Sequence, residues 1–121
     1  MSSQPSPRRE ATGRPPIVTE ALTDSAAGEL AGAFKALGDP VRLRLLSLIA
    51  ARAGGEVCVC DLIEAFALTG PTISHHLRVL REAGLVQCQR RGTWVYYWIV
   101  PAQLAALSRL LDPSTITVGA R

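Results

Sequence analysis

Cys58 and Cys60 stand one residue apart in the stretch GGEVCVCDLIEAF, and Cys88 is the only other cysteine in the chain. Three thiols are an odd number with no disulfide framework, which suits a reducing compartment where they stay free to bind metals or to react. Thiolate is the ligand that soft ions select. A helix opening at the CVC segment would place its N-terminal dipole beside the sulfurs and lower their pKa. The i, i+2 spacing also has a mechanical consequence. In an extended segment the two side chains share a face, with Cα atoms ~6.6 Å apart. In a helix they diverge by ~200°, and joint ligation would unwind the turn. The alternative is two small, half-buried apolar residues, since free cysteine often simply packs.

The elements that position these thiols are marked by helix starts and stops. Leu30, Phe34 and Leu37 recur at helical spacing, and Gly38 ends that helix. Asp39 caps the next one, with Pro40 at its first position and Val41, Leu45, Leu48 and Ile49 as its buried stripe. Asp61 and Glu64, three apart like a capping box, open a short helix that ends near Ala67. After the turn LTGP, Pro71 opens PTISHHLRVLREAG, closed by Gly84. Two short helices joined by a tight turn predict a helix-turn-helix. The segments Leu85–Arg90 and Trp94–Val100 flank RGT as a β-hairpin, with Trp94, Tyr96, Tyr97 and Trp98 filling its two faces. A last helix starts at Pro101 and carries Leu104, Leu107 and Leu111. The expected fold is mostly α, a winged helix-turn-helix of order α-α-α-α-β-β-α.

The second chemical pattern is cationic. At 100° steps along the helix after TGP, Ile73, Leu77 and Leu80 face inward. Ser74, His75, Arg78 and Arg81 face outward, with Thr72 and His76 at the flanks. Arg90, Arg91 and Thr93 stand around Gly92 at the hairpin tip. From Pro71 to Thr93 there are four arginines against one acid, Glu82, so positive charge concentrates on the helix and the wing. A major groove admits one α-helix whose hydroxyls, imidazoles and guanidinium groups reach base edges and phosphates. Adjacent histidines on a helix diverge by ~100° and make a poor joint ligand pair. The net charge of +3 comes from twelve arginines and one lysine, and arginine suits bidentate partners such as phosphate and guanine.

Three units are expected: an arm over 1–22, a folded domain over 23–111 and a flexible tail over 112–121. The first twenty residues hold four prolines and three arginines, too little apolar surface to offset their ordering entropy. They have no apolar core of a signal peptide. No apolar run approaches the ~18 residues of a membrane span, so a cytoplasmic protein without a membrane partner is expected. No acid–base cluster accompanies the thiols, and C-x-C is not the usual C-x-x-C redox motif. The chain is therefore read as a binding protein and not an enzyme. A small thiol oxidoreductase is the alternative from another class.

The stretches FKALGDPVRLRLLSLI, EVCVCDLIEAF, TISHHLRVLREAGLV and RRGTWVYYWIV together resemble the ArsR/SmtB family of metal-sensing winged-helix repressors. The resemblance implies a homodimer that binds an imperfect inverted repeat of double-stranded DNA and leaves it when an inducer binds. It places the first and last helices at the dimer interface, where Leu30, Phe34, Leu104, Leu107 and Leu111 would lie. Leucine stripes at both ends of the domain suit that role, since each leaves an apolar surface needing a partner. Members with CVC at this place resemble sensors of trivalent arsenic and antimony, or of cadmium and lead. The arsenic-sensing pattern C-V-C-D-L-C has a third thiol where this chain has Ile63. Cys88 would then complete a trigonal site only if the wing approaches the helix entrance or the partner subunit supplies it. Cadmium and lead sensors add cysteines from the arm, and this arm has none. Zinc sensors place aspartate and histidine on the last helix, and PAQLAALSRLL has neither. As(III) or Sb(III) as inducer, held by Cys58, Cys60 and Cys88, is the reading that results. A repressor answering to cadmium or lead, or to thiol oxidation, is the alternative within the same fold.

Overall fold

The computed structural model describes residues 21–115. Its elements are α1 (Asp24–Leu37), α2 (Pro40–Ala51), β1 (Glu56–Cys58), α3 (Val59–Glu64), α4 (Gly70–Glu82), β2 (Val86–Arg91), β3 (Trp94–Ile99) and α5 (Pro101–Leu111). The order is therefore α-α-β-α-α-β-β-α, a winged helix-turn-helix with one strand more than expected. The arm expected over 1–22 lies outside the described residues except for its last two. Within the expected tail, Pro113–Thr115 forms one 3₁₀ turn.

Local chemistry sets the helix ends. Thr23 Oγ1 accepts from Ala26 N at 3.1 Å to start α1. Asp39 Oδ1 accepts from Val41 N (2.8 Å) and Arg42 N (3.2 Å), and Pro40 occupies the first turn of α2. The core holds Leu45, Ile49, Leu62, Ile73, Leu77, Leu80, Leu85 and Val86, all fully buried. On α2 the buried stripe is Leu45, Leu46 and Ile49, with Val41 half-buried and Leu48 at the surface. The expected Leu48 is thus replaced by Leu46, because α2 packs between several neighbours and turns Leu46 toward them.

The sheet is antiparallel with strand order β1-β3-β2. β1 pairs Glu56 with Trp98, Val57 with Tyr97 and Cys58 with Tyr96. Cross-strand partners share a face, so Val57, Tyr97 and Cys88 form one row on the inner face. Cys58, Tyr96 and Gln89 form a row on the outer face. The aromatic run divides accordingly: Tyr97 is buried inward, while Trp94, Tyr96 and Trp98 line the other face. The hairpin closes through Gly92–Thr93, with Gly92 at φ 65°, a region that favours glycine.

Leu107 is 5% exposed and belongs to the single-chain core, whereas Leu111 is 64% exposed. Leu30, Phe34 and Leu104 are partly buried against that core. No helix among the described residues is long and apolar enough to cross a membrane.

Candidate nucleic-acid interface and thiol pair

α4 is held from both ends and from behind. Thr69 Oγ1 accepts from Thr72 N (3.3 Å) and lies 2.9 Å from Thr72 Oγ1, so the Thr72 hydroxyl is engaged in the cap. At the other end Gly84 N donates to Arg81 O (2.9 Å) and Leu85 N donates to Leu80 O (3.0 Å). With Gly84 at φ 78°, this is a Schellman termination. Ile73, Leu77 and Leu80 have no exposed surface. Ser74, His75, Arg78 and Arg81 are exposed on the opposite face, as the helical period requires.

These outward groups are not all alike. Arg78 Nη2 lies 3.2 Å from His75 Nδ1, joining two of them into one donor-rich patch. Arg81 Nη1 donates to Cys88 Sγ at 3.5 Å, which leans this guanidinium toward the wing. His76 is turned inward and meets Arg42 Nη1 through Nδ1 at 3.1 Å. Arg42 also donates from Nε to Ala36 O at 2.6 Å. It thereby ties the ends of α1 and α2 to the reading helix, a role without any local sequence signal.

On the wing, Arg90 and Thr93 are exposed. Arg91, expected to face DNA, instead reaches across the sheet. Its Nη1 and Nη2 donate to Glu56 Oε1 (2.7 Å) and Oε2 (2.9 Å). Glu56 went unnoticed in the sequence because it belongs to the unexpected strand β1.

The thiols sit where β1 becomes α3. Cys58 is 8% exposed and is the N-cap of α3, its Sγ accepting from Cys60 N at 3.3 Å. This replaces the expected capping box of Asp61 and Glu64. Asp61 Oδ2 instead accepts from Arg52 Nη2 at 2.8 Å, tying α3 to the end of α2. Cys60 is exposed, with Sγ 4.0 Å from Asp61 Oδ1. Cys58 is extended (φ −72°, ψ 140°) while Cys60 lies in the first turn, so the pair straddles a strand–helix boundary.

The expectation of a lowered thiol pKa fails at Cys60, where it is raised. The hydrogen bond to Cys58 contributes most, followed by partial burial and then by negative charge on Cys58 and Asp61. A six-residue helix has a weak dipole, and two sulfurs beside a carboxylate resist a further negative charge.

Cys88 lies elsewhere. β1 and β2 flank β3, so Cys58 and Cys88 are separated by two strand spacings, ~10 Å, and project from opposite faces. Within one subunit the fold does not bring Cys88 to the pair. It lies instead beside Arg81 and Tyr97, whose hydroxyl pKa is raised first by burial and then by Cys88. Among the described residues no three His, Cys, Asp or Glu side chains gather into a ready-made metal site. The thiols of Cys58 and Cys60 remain, two residues apart and linked by the contact of Cys60 N with Cys58 Sγ, a donor type that suits a thiophilic ion accepting two thiolates.

The model of the bacterial regulatory protein arsR family matches residues 39–87, from the cap of α2 into β2. An HTH-type transcriptional regulator of Methanocaldococcus jannaschii is 44% identical over 79 residues, 65% of this chain and 86% of that protein. The arsenical resistance operon repressor of Escherichia coli is 40% identical over 79 residues, 65% of this chain and 66% of that one. Among solved structures, the AntR antimony-specific transcriptional repressor is 32% identical with a TM-score of 0.59. That alignment covers 88% of this chain and 90% of AntR. A homodimeric winged helix-turn-helix DNA-binding domain from Mycobacterium bovis is 33% identical with a TM-score of 0.60, covering 76% and 85%. By these identities, coverages and the shared fold, this chain belongs to the arsR family of winged helix-turn-helix transcriptional repressors, DNA-binding regulators and not enzymes.

Proposed function

We propose that the protein is a cytoplasmic homodimeric repressor that grips an inverted repeat and releases it when As(III) or Sb(III) binds Cys58 and Cys60. The observation that carries this reading is the double duty of Cys58. Its sulfur is both a potential ligand and the cap of α3. Cys58 is extended and Cys60 helical, so closing both sulfurs on one ion must turn Cys58 away from the Cys60 N–H and loosen the first turn of α3. Through Ile63 that helix abuts Gly70, the first residue of α4; a Cβ on Gly70 would lie 3.5 Å from Ile63 Cδ1. A change at the thiols is therefore felt where the reading helix begins. The antimony-specific repressor and the arsenical resistance repressor among the similar proteins support the choice of inducer.

Thr72, Ser74, His75, Arg78 and Arg81 would enter the groove, with Arg90 and Thr93 on the flanking backbone. α1 and α5 would form the dimer through Leu30, Phe34, Leu104 and the exposed Leu111, while Leu107 supports α5 from beneath. The homodimeric solution structure among the similar proteins supports that assembly. Coupling must be reciprocal: if the ion weakens DNA binding, DNA weakens ion binding by the same factor.

The test uses a high-affinity duplex selected from a random pool. Wild type and the double variant Cys58→Ser, Cys60→Ser are titrated on it with arsenite, antimonite, cadmium, lead, zinc and peroxide. Arsenite and antimonite should release wild type, and the double variant should bind the duplex but ignore both. Release by peroxide, cadmium or lead where both metalloids leave the complex intact would refute the assignment.

A further inference from the structure

Register places Glu56, Cys58, Tyr96, Gln89 and Arg91 on one face of the sheet. Across that face all three nitrogens of the Arg91 guanidinium donate. Nη1 and Nη2 donate to the two Glu56 oxygens at 2.7 and 2.9 Å, and Nε donates to Gln89 Oε1 at 3.1 Å. The cation lies 4.8 Å from the centre of the Tyr96 ring. Tyr96 is in turn the cross-strand partner of Cys58. An exposed ion pair is usually worth little. This one combines fork-to-fork geometry, a third hydrogen bond and a cation–π contact, each of which narrows where the side chain can go. It also spans the sheet, from the strand β1 to the tip of the wing.

Arg90 differs in each respect. It belongs to the opposite row of β2, it is exposed, and it takes part in no ion pair among the described residues. We propose that Glu56 and Arg91 brace the wing against the strand leading into the thiol pair. Arg91 is then a positioning residue for the hairpin, and Arg90 is the tip arginine that meets phosphate. This rests on reading α4 and the wing as the DNA interface. It gives the thiols a second route to the DNA, since Glu56 lies two residues before Cys58 on the same strand. Any shift of β1 moves the anchor of the wing.

The experiment compares Glu56→Gln, Arg91→Gln, their double variant and Arg90→Gln in the full chain. Two readouts are taken: binding to a random-sequence duplex across a salt series, and amide hydrogen exchange at residues 90–93 of the free protein. Arg90→Gln should flatten the log–log salt slope by ~0.9 per subunit, the loss of one phosphate contact. Glu56→Gln and Arg91→Gln should leave the slope unchanged and each weaken binding by about two- to fivefold. Both should speed exchange at the tip equally, and the double variant should be no worse than either. A flattened slope in Arg91→Gln, or tighter binding in Glu56→Gln, would show instead that Arg91 is a phosphate ligand which Glu56 occupies. Unchanged tip exchange in the two brace variants would overturn the proposal as well. If Arg90→Gln leaves the slope intact, the wing is not a phosphate contact, and the exchange measurements, made without DNA, still decide the brace.

Discussion

Arg42→Ala tests how the reading helix is held. Ala36 lies in the last turn of α1 and is 3% exposed. Its carbonyl is among the last four of α1, which have no partner within the helix. Arg42 Nε fills the place at 2.6 Å, and the same guanidinium meets His76 of α4 at 3.1 Å. Removing the side chain leaves a buried carbonyl without its donor, at a cost of ~2 kcal/mol. We assign nothing to the 4.0 Å contact with Asp39, since surface pairs contribute little. For a domain of this size ~2 kcal/mol lowers Tm by about 8–16 °C. The assay is thermal unfolding at fixed protein concentration, because a dimer's Tm depends on it. Arg42→Lys, which can still reach toward the carbonyl, should recover part of the loss. A Tm for Arg42→Ala within about 2 °C of wild type would refute the argument that the Ala36 carbonyl depends on this side chain.

The rate of metalloid capture, read from sulfur–metalloid charge-transfer absorbance, should climb with pH through the neutral range, because the attacking group is the thiolate and the Cys60 pKa is raised above the ordinary thiol value. The affinity should stay level, since each thiol proton leaves as water with a hydroxide of the trivalent metalloid; a pH-independent rate would argue against Cys60 as a ligand. Cys88→Ser should leave that absorbance unchanged, because Cys88 projects from the opposite face of the sheet; a weakened signal would point to ligation across the dimer. Asp39→Ala should lower Tm at neutral pH by removing the cap of α2. The Asp39 carboxyl pKa is lowered below 3.8, first by the hydrogen bond from the Arg42 N–H. Its stabilisation is therefore complete above the ordinary carboxylate pKa and disappears as pH falls through the lowered value. The gap between wild type and variant should close only there. Gly84→Ala should lose ~1–2 kcal/mol from the left-handed backbone alone, since the new Cβ meets only the Gln103 side chain, at an ordinary 3.6 Å or more; no loss would mean α4 ends differently.

Elements with local instructions are legible along the chain. The Asp39–Pro40 start of α2, the Gly84 stop of α4, and the Ile73, Leu77 and Leu80 stripe are written in neighbouring residues, and so is the Gly92 turn. The two thiols at a helix entrance were legible for the same reason. The remaining features depend on partners distant in the chain and emerge only on folding. β1 has three residues, too few to show a period, and it exists because β3 pairs with it. From that one strand follow the choice of Cys58 over Asp61 as the α3 cap and the placing of Cys58 and Cys88 on opposite faces. The meeting of Glu56 with Arg91 follows from it too, and a helical wheel could not supply it. Arg42 was equally hidden, because the carbonyl it satisfies and the histidine it meets lie on different helices. Backbone periodicity and capping are properties of a few adjacent residues, whereas the pairing of polar groups across a sheet or between helices exists only once the chain has closed on itself.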